Sequence, residues 1–229
     1  MRAPSTPCRS TVFESFLTFL LQAVILTCLG DVVVYAYSVA TILVVCTGNV
    51  CRSPAIERLL AAQLPLSVQV ISAGTGALVG YPIDPPMAQL LAARGISPAG
   101  FAARDLTPDL IWSASLILAA AREHRSGVVR LVPAAVHRTF TLLEAARIAA
   151  TIDFSDLDND ERIIEFAGLA AGRRGLVRAD SARVDADDIP DPYRRRMSVY
   201  RKVYATIEDA TWRFARAVYA PPPTAPPRY

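Results

Sequence analysis

The residues of this chain best suited to covalent chemistry lie in one short run, Cys46-Thr47-Gly48-Asn49-Val50-Cys51-Arg52-Ser53-Pro54. A cysteine and an arginine are separated by five residues, between a β-branched apolar stretch and a helix start. A loop wound between two such elements turns several backbone N–H groups into one concavity, and the helix N-terminus adds its positive end. A phosphate-like anion fits there. The same field can hold the charge of a nucleophilic sulfur at Cys46. Arg52 can grip two oxygens of the anion at once, in ground and transition states. Ser53 can donate a hydrogen bond to the sulfur and help it leave. Gly48 is expected to permit a turn that a side chain resists, and Asn49 tolerates left-handed backbone and can tie the loop internally.

The elements that would carry this loop can be read around it. Thr41 to Val45 reads as a buried, parallel strand. Pro54 suits the first turn of a helix running to about Gln63, with Ile56, Leu59 and Leu60 on one face. Val68 to Ser72 is a second strand, followed by a loop with Gly74, Gly76 and Gly80. Met87 to Arg94 reads as a helix ended by Gly95, and Leu116 to Ala119 as a short strand. Phe140 to Ala150 and Glu161 to Ala171 read as helices, and 173 to 192 as a long surface loop. Val199, Val203, Ile207, Ala210, Phe214 and Ala217 recur at helical spacing in the last helix. Strands alternating with helices predict an α/β fold with a parallel sheet. Ligands of such sheets sit at the carboxyl ends of strands, which is where Cys46 falls.

Bulk properties exclude several function classes. The 229 residues are 52% hydrophobic and 20% charged, enough for a sizeable core. The net charge of +3, from 24 basic and 21 acidic residues, does not argue for nucleic acid. Four cysteines (Cys8, Cys28, Cys46 and Cys51) do not make a disulfide framework. Without a CxxC pair, and with only His124 and His137 as imidazoles, no metal site is expected. Both histidines read as surface or packing residues. Cys51 has two readings: a small buried hydrophobe, or the partner in a reversible disulfide that shields Cys46 from over-oxidation.

The ends of the chain are expected to lie outside the domain, which should span 39–220. Residues 15–30 carry no charge but are short for a membrane span, which needs about 20 apolar residues. Residues 1–38 have three readings: an anchor or interfacial helix, a signal peptide with a cleavage site near Ala36, or a dispensable extension. The corresponding locations are cytoplasmic or membrane-associated. Residues 221–229 hold five prolines and read as a tail.

The extended string from Cys46 to Pro54 resembles the signature of the low-molecular-weight protein tyrosine phosphatase family. The resemblance reaches further. Ser72-Ala73-Gly74-Thr75 looks like the family's segment after its second strand, and Asp191-Pro192-Tyr193 looks like its acid signature before the last helix. It covers roughly residues 39 to 218. It implies a three-layer sandwich around a mostly four-stranded parallel sheet and a reaction without cofactors on a phosphorylated protein. It further implies that Asp191 is the general acid, that Ser72 supports the loop through Asn49, and that Thr47 to Ser53 line the phosphate site. Asp187 and Asp188 are fallback acids.

The residue between Asn49 and Cys51 helps separate the family's subclasses. Val50 points to phosphotyrosine, whereas threonine there would point to protein-arginine phosphatases. No cysteine follows Cys51, which argues against arsenate reduction. Where many members place an aromatic pocket wall this chain has Leu78, with Tyr81 three residues on, and Tyr193 is the other candidate wall. Beside Asp191, the run Arg194-Arg195-Arg196 reads either as a solvated face or as an attractor of acidic or phosphorylated substrates. The alternatives are an arginine phosphatase, a catalytically silent phosphoprotein-binding module, and a membrane-tethered regulator in which residues 15–30 matter more than turnover.

Overall fold

A computed structural model describes residues 39–159, 161–177 and 186–219. The readings for residues 1–38 and 221–229 lie outside these. Among the described residues no helix is long and apolar enough to cross a membrane.

The sheet has four parallel strands in the order β2-β1-β3-β4. They are β1 (Ala40–Cys46), β2 (Val68–Gly74), β3 (Leu116–Ala119) and β4 (Thr139–Thr141). Around them lie α1 (Arg52–Gln63), α2 (Pro85–Ala92), α3 (Pro108–Ser113), α4 (Arg122–Leu131), α5 (Leu142–Ala149), α6 (Arg162–Arg173) and α7 (Met197–Val218). A short 3₁₀ segment, Pro133–Arg138, precedes β4.

All seven residues of β1 are buried, because helices cover both faces of the sheet. Successive side chains of a strand point to opposite faces. Ile42, Val44 and Cys46 enter the larger core, with Ile56 and Leu60 of α1 and Ile207 and Phe214 of α7. Leu43 and Val45 enter a smaller core with Ile111 of α3 and Val128 of α4. The result is the expected three-layer α/β sandwich.

Two departures from the sequence reading have physical causes. The segment expected as one helix from Phe140 to Ala150 begins as β4. Three residues are too few to show alternation, and the helix starts at once behind them. Thr141 ends the strand and caps α5: its hydroxyl accepts from the Glu144 N–H, while the Glu144 carboxylate accepts from the Thr141 N–H. Helix α4 drew no expectation because it buries only His124 and Val128 and shows no apolar stripe.

The phosphate-type loop hangs from the carboxyl end of β1, flanked by the ends of β2 and β3. Cys46 pairs in register with Gly74, and Val45 with both Ala73 and Ala119. The loops following β1, β2 and β3 therefore meet around Cys46.

Candidate active site

Cys46 is the last residue of β1 and Arg52 the first of α1, so the loop spans the turn between them. Four of its carbonyls are engaged from outside. Cys46 O accepts from Thr75 N (2.9 Å), Thr47 O from Gly76 N (3.1 Å), Gly48 O from Leu78 N (3.0 Å) and Val50 O from Asp84 N (2.9 Å). A trans peptide points its C=O and N–H in opposite directions. Outward carbonyls therefore turn the N–H groups of Thr47, Gly48, Asn49 and Cys51 toward the concavity, as an anion site requires.

Asn49 holds the loop shape. It takes left-handed backbone (φ 53°) and is fully buried. Its two amide hydrogens go to Ser53 Oγ (2.9 Å) and Ser72 Oγ (2.8 Å), and its carbonyl oxygen accepts from Arg104 N (2.9 Å). Ser72 spends its own proton on Glu57 Oε2 (2.6 Å). Ser53, already accepting from Asn49, is left with a proton for Cys46 Sγ at 2.9 Å. The directions from Asn49 and Ser72 follow from the donor and acceptor inventory, and toward a thiolate at Cys46, which only accepts, Ser53 is the donor. Glu57 and Arg104 were not singled out in the sequence; nothing in a lone Glu on a helix or an Arg in a loop marks such a partner. Burial pushes the Glu57 carboxyl up, against the Ser72 hydrogen bond.

Gly48 does not have the role expected of it. Its backbone is not left-handed, and an added Cβ would meet Val50 Cγ2 at an ordinary 3.5 Å. The glycine that the packing demands is Gly74, where a Cβ would lie 2.3 Å from Thr47 O.

Arg52 is 3% exposed. Its Nη1 donates to Ile189 O (3.3 Å), and its Nη2 lies 3.0 Å from Asp191 Oδ2. Its Nε is buried with no protein partner, which suits a cation meant for a ligand oxygen. Asp191 is half exposed, and its other oxygen accepts from Tyr193 N (3.2 Å). The fallback acids are engaged elsewhere: Asp188 pairs with Arg122 and Asp187 with Arg147. These pairs tie the irregular stretch before Asp191 to α4 and α5, and Ile189 N adds a bond to Ala120 O (2.8 Å). Asp188 is held below the usual carboxylate range by the Arg122 guanidinium.

One pocket of about 200 Å³ collects Cys46, Thr47, Gly48, Val50, Cys51 and Arg52 with Gly76, Leu78, Asp191 and Tyr193. Tyr81 is exposed and does not line it. The guanidinium of Arg194 lies over the outer ring of Tyr193 at 5.1 Å, with Arg194 itself in left-handed backbone (φ 59°). Asn49, Ser53 and Ser72 sit behind the pocket as supports. Cys51 is buried with its sulfur 3.9 Å from Tyr200 Oη, and Tyr200 donates to Asp84. Burial and the Asp84 carboxylate push the Cys51 thiol up.

His124 is the packing residue of the two histidines, and it packs at the site. It is 1% exposed, and its Nε2 lies 2.9 Å from Thr47 Oγ1, beside the nucleophile position. His137 is exposed, as a surface residue would be. No local signal distinguishes the two in sequence.

The family model for low molecular weight phosphotyrosine protein phosphatase matches residues 41–156. The low molecular weight protein-tyrosine-phosphatase Etp of Escherichia coli K12 is 32% identical over 176 residues, 77% of this chain and 93% of that protein. The solved tyrosine phosphatase Wzb of E. coli K30, in complex with sulphate, superposes with a TM-score of 0.57 at 30% identity, covering 77% of this chain and 96% of that one. The YwlE arginine phosphatase of Geobacillus stearothermophilus superposes equally well (TM-score 0.57, 27% identity, 77% and 91% coverage). With the matched region carrying the loop, its support from Ser72 and the sheet beneath them, the chain belongs to the low molecular weight phosphotyrosine protein phosphatase family.

Proposed function

We propose that this chain is a phosphotyrosine phosphatase in which Cys46 is the nucleophile, Arg52 the phosphate clamp and Asp191 the general acid and base. The observation that carries the reading is the meeting of these three side chains at one small pocket, with Ser53 aimed at the sulfur and Asp191 held at the mouth by Arg52.

The chemistry follows in two steps. A phosphoryl dianion enters the concavity and takes the inward N–H groups and the Arg52 guanidinium. The Cys46 sulfur attacks phosphorus as the bond to the tyrosine oxygen breaks, and Asp191 gives its proton to that oxygen. The product is phenol and a phosphocysteine. Asp191, now a carboxylate, takes a proton from water, whose oxygen attacks phosphorus. The sulfur leaves with the Ser53 hydrogen bond, and inorganic phosphate departs. The exposed Arg194, Arg195 and Arg196 around the mouth support a phosphorylated, acidic protein segment as substrate.

A second reading rests on the pocket wall. Leu78 and Val50 make it aliphatic, and among the described residues Tyr193 is its only aromatic lining residue. The likeness to an arginine phosphatase is as close in shape as that to Wzb. Parallel assays separate the two. Metal-free hydrolysis of p-nitrophenyl phosphate and a phosphotyrosine peptide is expected, with phosphoarginine peptide cleaved far more slowly. Activity should vanish in Cys46→Ser and fall roughly 10²–10⁴-fold in Asp191→Asn. Preferential phosphoarginine cleavage would transfer the assignment to the second reading. A folded wild-type protein that turns over neither would leave a phosphoprotein-binding module.

A further inference from the structure

His124 is a buried imidazole that the mechanism above does not use. It sits in the first turn of α4, and α4 follows β3, which pairs with β1 directly below the phosphate loop. That placement brings its ring to Thr47, the residue after the nucleophile. Thr47 is itself exposed and lines the pocket.

The proton positions on this contact can be reasoned out. Nε2 faces two oxygens, Thr47 Oγ1 at 2.9 Å and Glu123 Oε1 at 3.2 Å. A carboxylate only accepts, so the ring hydrogen belongs on Nε2, shared toward both. Nδ1 is buried without a partner. A bare acceptor there costs less than an unmet N–H, since buried orphan donors are the rarer case. Both arguments choose the same tautomer. Thr47 Oγ1 then accepts from His124, and its own proton is left for the pocket. A ring with the opposite tautomer would consume that proton and turn the hydroxyl's acceptor side to the substrate.

We propose that His124 is a positioning residue: its Nε2–H fixes the Thr47 hydroxyl as a hydrogen-bond donor to the bound substrate. The proposal rests on the phosphatase reading but extends it to a polar element in a pocket wall otherwise lined by Val50, Leu78 and Tyr193. Neutrality of the ring is consistent with this. Burial and the nearby Arg52 guanidinium lower its pKa to about 4, against the opposing pull of Asp191 and Asp188. At neutral pH it therefore acts as an oriented dipole and does not compete with Arg52 for the anion.

The test is a double-mutant cycle of Thr47→Val and His124→Phe, read on a phosphotyrosine peptide. Each single change is expected to lower kcat/KM about 10–150-fold, the worth of one hydrogen bond to a charged group. The double change should be no worse than Thr47→Val alone, because His124 acts through that hydroxyl. His124→Gln, whose amide can still donate, should recover most of the loss. Additive effects, or no recovery with Gln, would overturn the proposal. Wild-type turnover that is lost in Cys46→Ser establishes the parent reading separately.

A second measurement does not depend on turnover or on a folded His124 variant. The chain has only two histidines, so a ring ¹⁵N–¹H spectrum assigned with His137→Gln reports the tautomer of His124 directly. The Nε2–H form at neutral pH, with its proton shifted by Thr47→Val, is expected. An Nδ1–H ring, or one indifferent to Thr47→Val, would refute the proposal even in an inactive protein.

Discussion

Ser53 shows how much of this site depends on single hydrogen atoms. Its hydroxyl accepts one amide hydrogen of Asn49 and faces Cys46, while Ser72 accepts the other and gives its own proton to Glu57, so the Asn49 amide is held from both sides. The loop is also pinned by close packing. Gly74 lies opposite Cys46 in the sheet and beneath Thr47 O. In Gly74→Ala the new methyl would lie 2.3 Å from that oxygen and 3.0 Å from Ala77 Cβ, both part of the framework of the site. We expect a loss of about 1–3 kcal/mol in urea unfolding, typical of overpacking, with a parallel fall in kcat/KM as Thr47 is pushed toward the pocket. An unchanged kcat/KM would mean that the loop does not rely on this contact. Gly48→Ala, with only ordinary contacts at its Cβ, should be milder in stability.

At the scale of elements, sequence and structure agree where pattern is strong. β1 and β3 could be read from uninterrupted apolar runs, β2 from its Val and Ile residues, α1 from Pro54 and the face of Ile56, Leu59 and Leu60, and α7 from its long helical stripe. The nucleophile loop could be read because strand, Cys-x5-Arg and Pro54 follow in one continuous string. What stayed hidden was non-local. β4 is too short to show a period. α4 buries two residues, one of them a histidine that reads as polar. Glu57 acts through Ser72, 15 positions away, and Arg104 through Asn49 and Ser72, 55 and 32 positions away in sequence.

The docking of α4 has a pH signature. His124 has an ordinary pKa of 6.5 and a folded value near 4. Between these values the unfolded chain binds a proton that the folded chain does not, so stability rises with pH through that window and is lost as pH falls. Its contribution is complete above pH 6.5. Arg52, Asp191, Asp188 and Glu123 face the ring and are common to wild type and variant. Glu57, raised by burial, works in the opposite sense in both. Urea unfolding from pH 7 to pH 4 should therefore fall more steeply for wild type than for His124→Gln. Parallel slopes would contradict the burial of a neutral ring.

For the molecule as a whole, the sheet's topology does the assembling. Parallel strands set the carboxyl ends of β1, β2 and β3 side by side, so the nucleophile loop, its Gly74–Leu78 support and the first turn of α4 converge without long-range strain. Asp191, the acid of the proposed mechanism, arrives from just before α7, carried by a segment that Asp187 and Asp188 anchor through arginines on α5 and α4. The central claim is that this assembly exists to form and break a bond between phosphorus and Cys46. Trapping tests it most directly. Asp191→Asn, mixed with p-nitrophenyl phosphate, quenched in acid and examined by peptide mass spectrometry, should carry one phosphoryl group on Cys46, because loss of the general base slows breakdown of the intermediate. The same experiment on the Cys46→Ser, Asp191→Asn double variant should give none. An unmodified Cys46 in an Asp191→Asn protein that still releases p-nitrophenol would contradict the account.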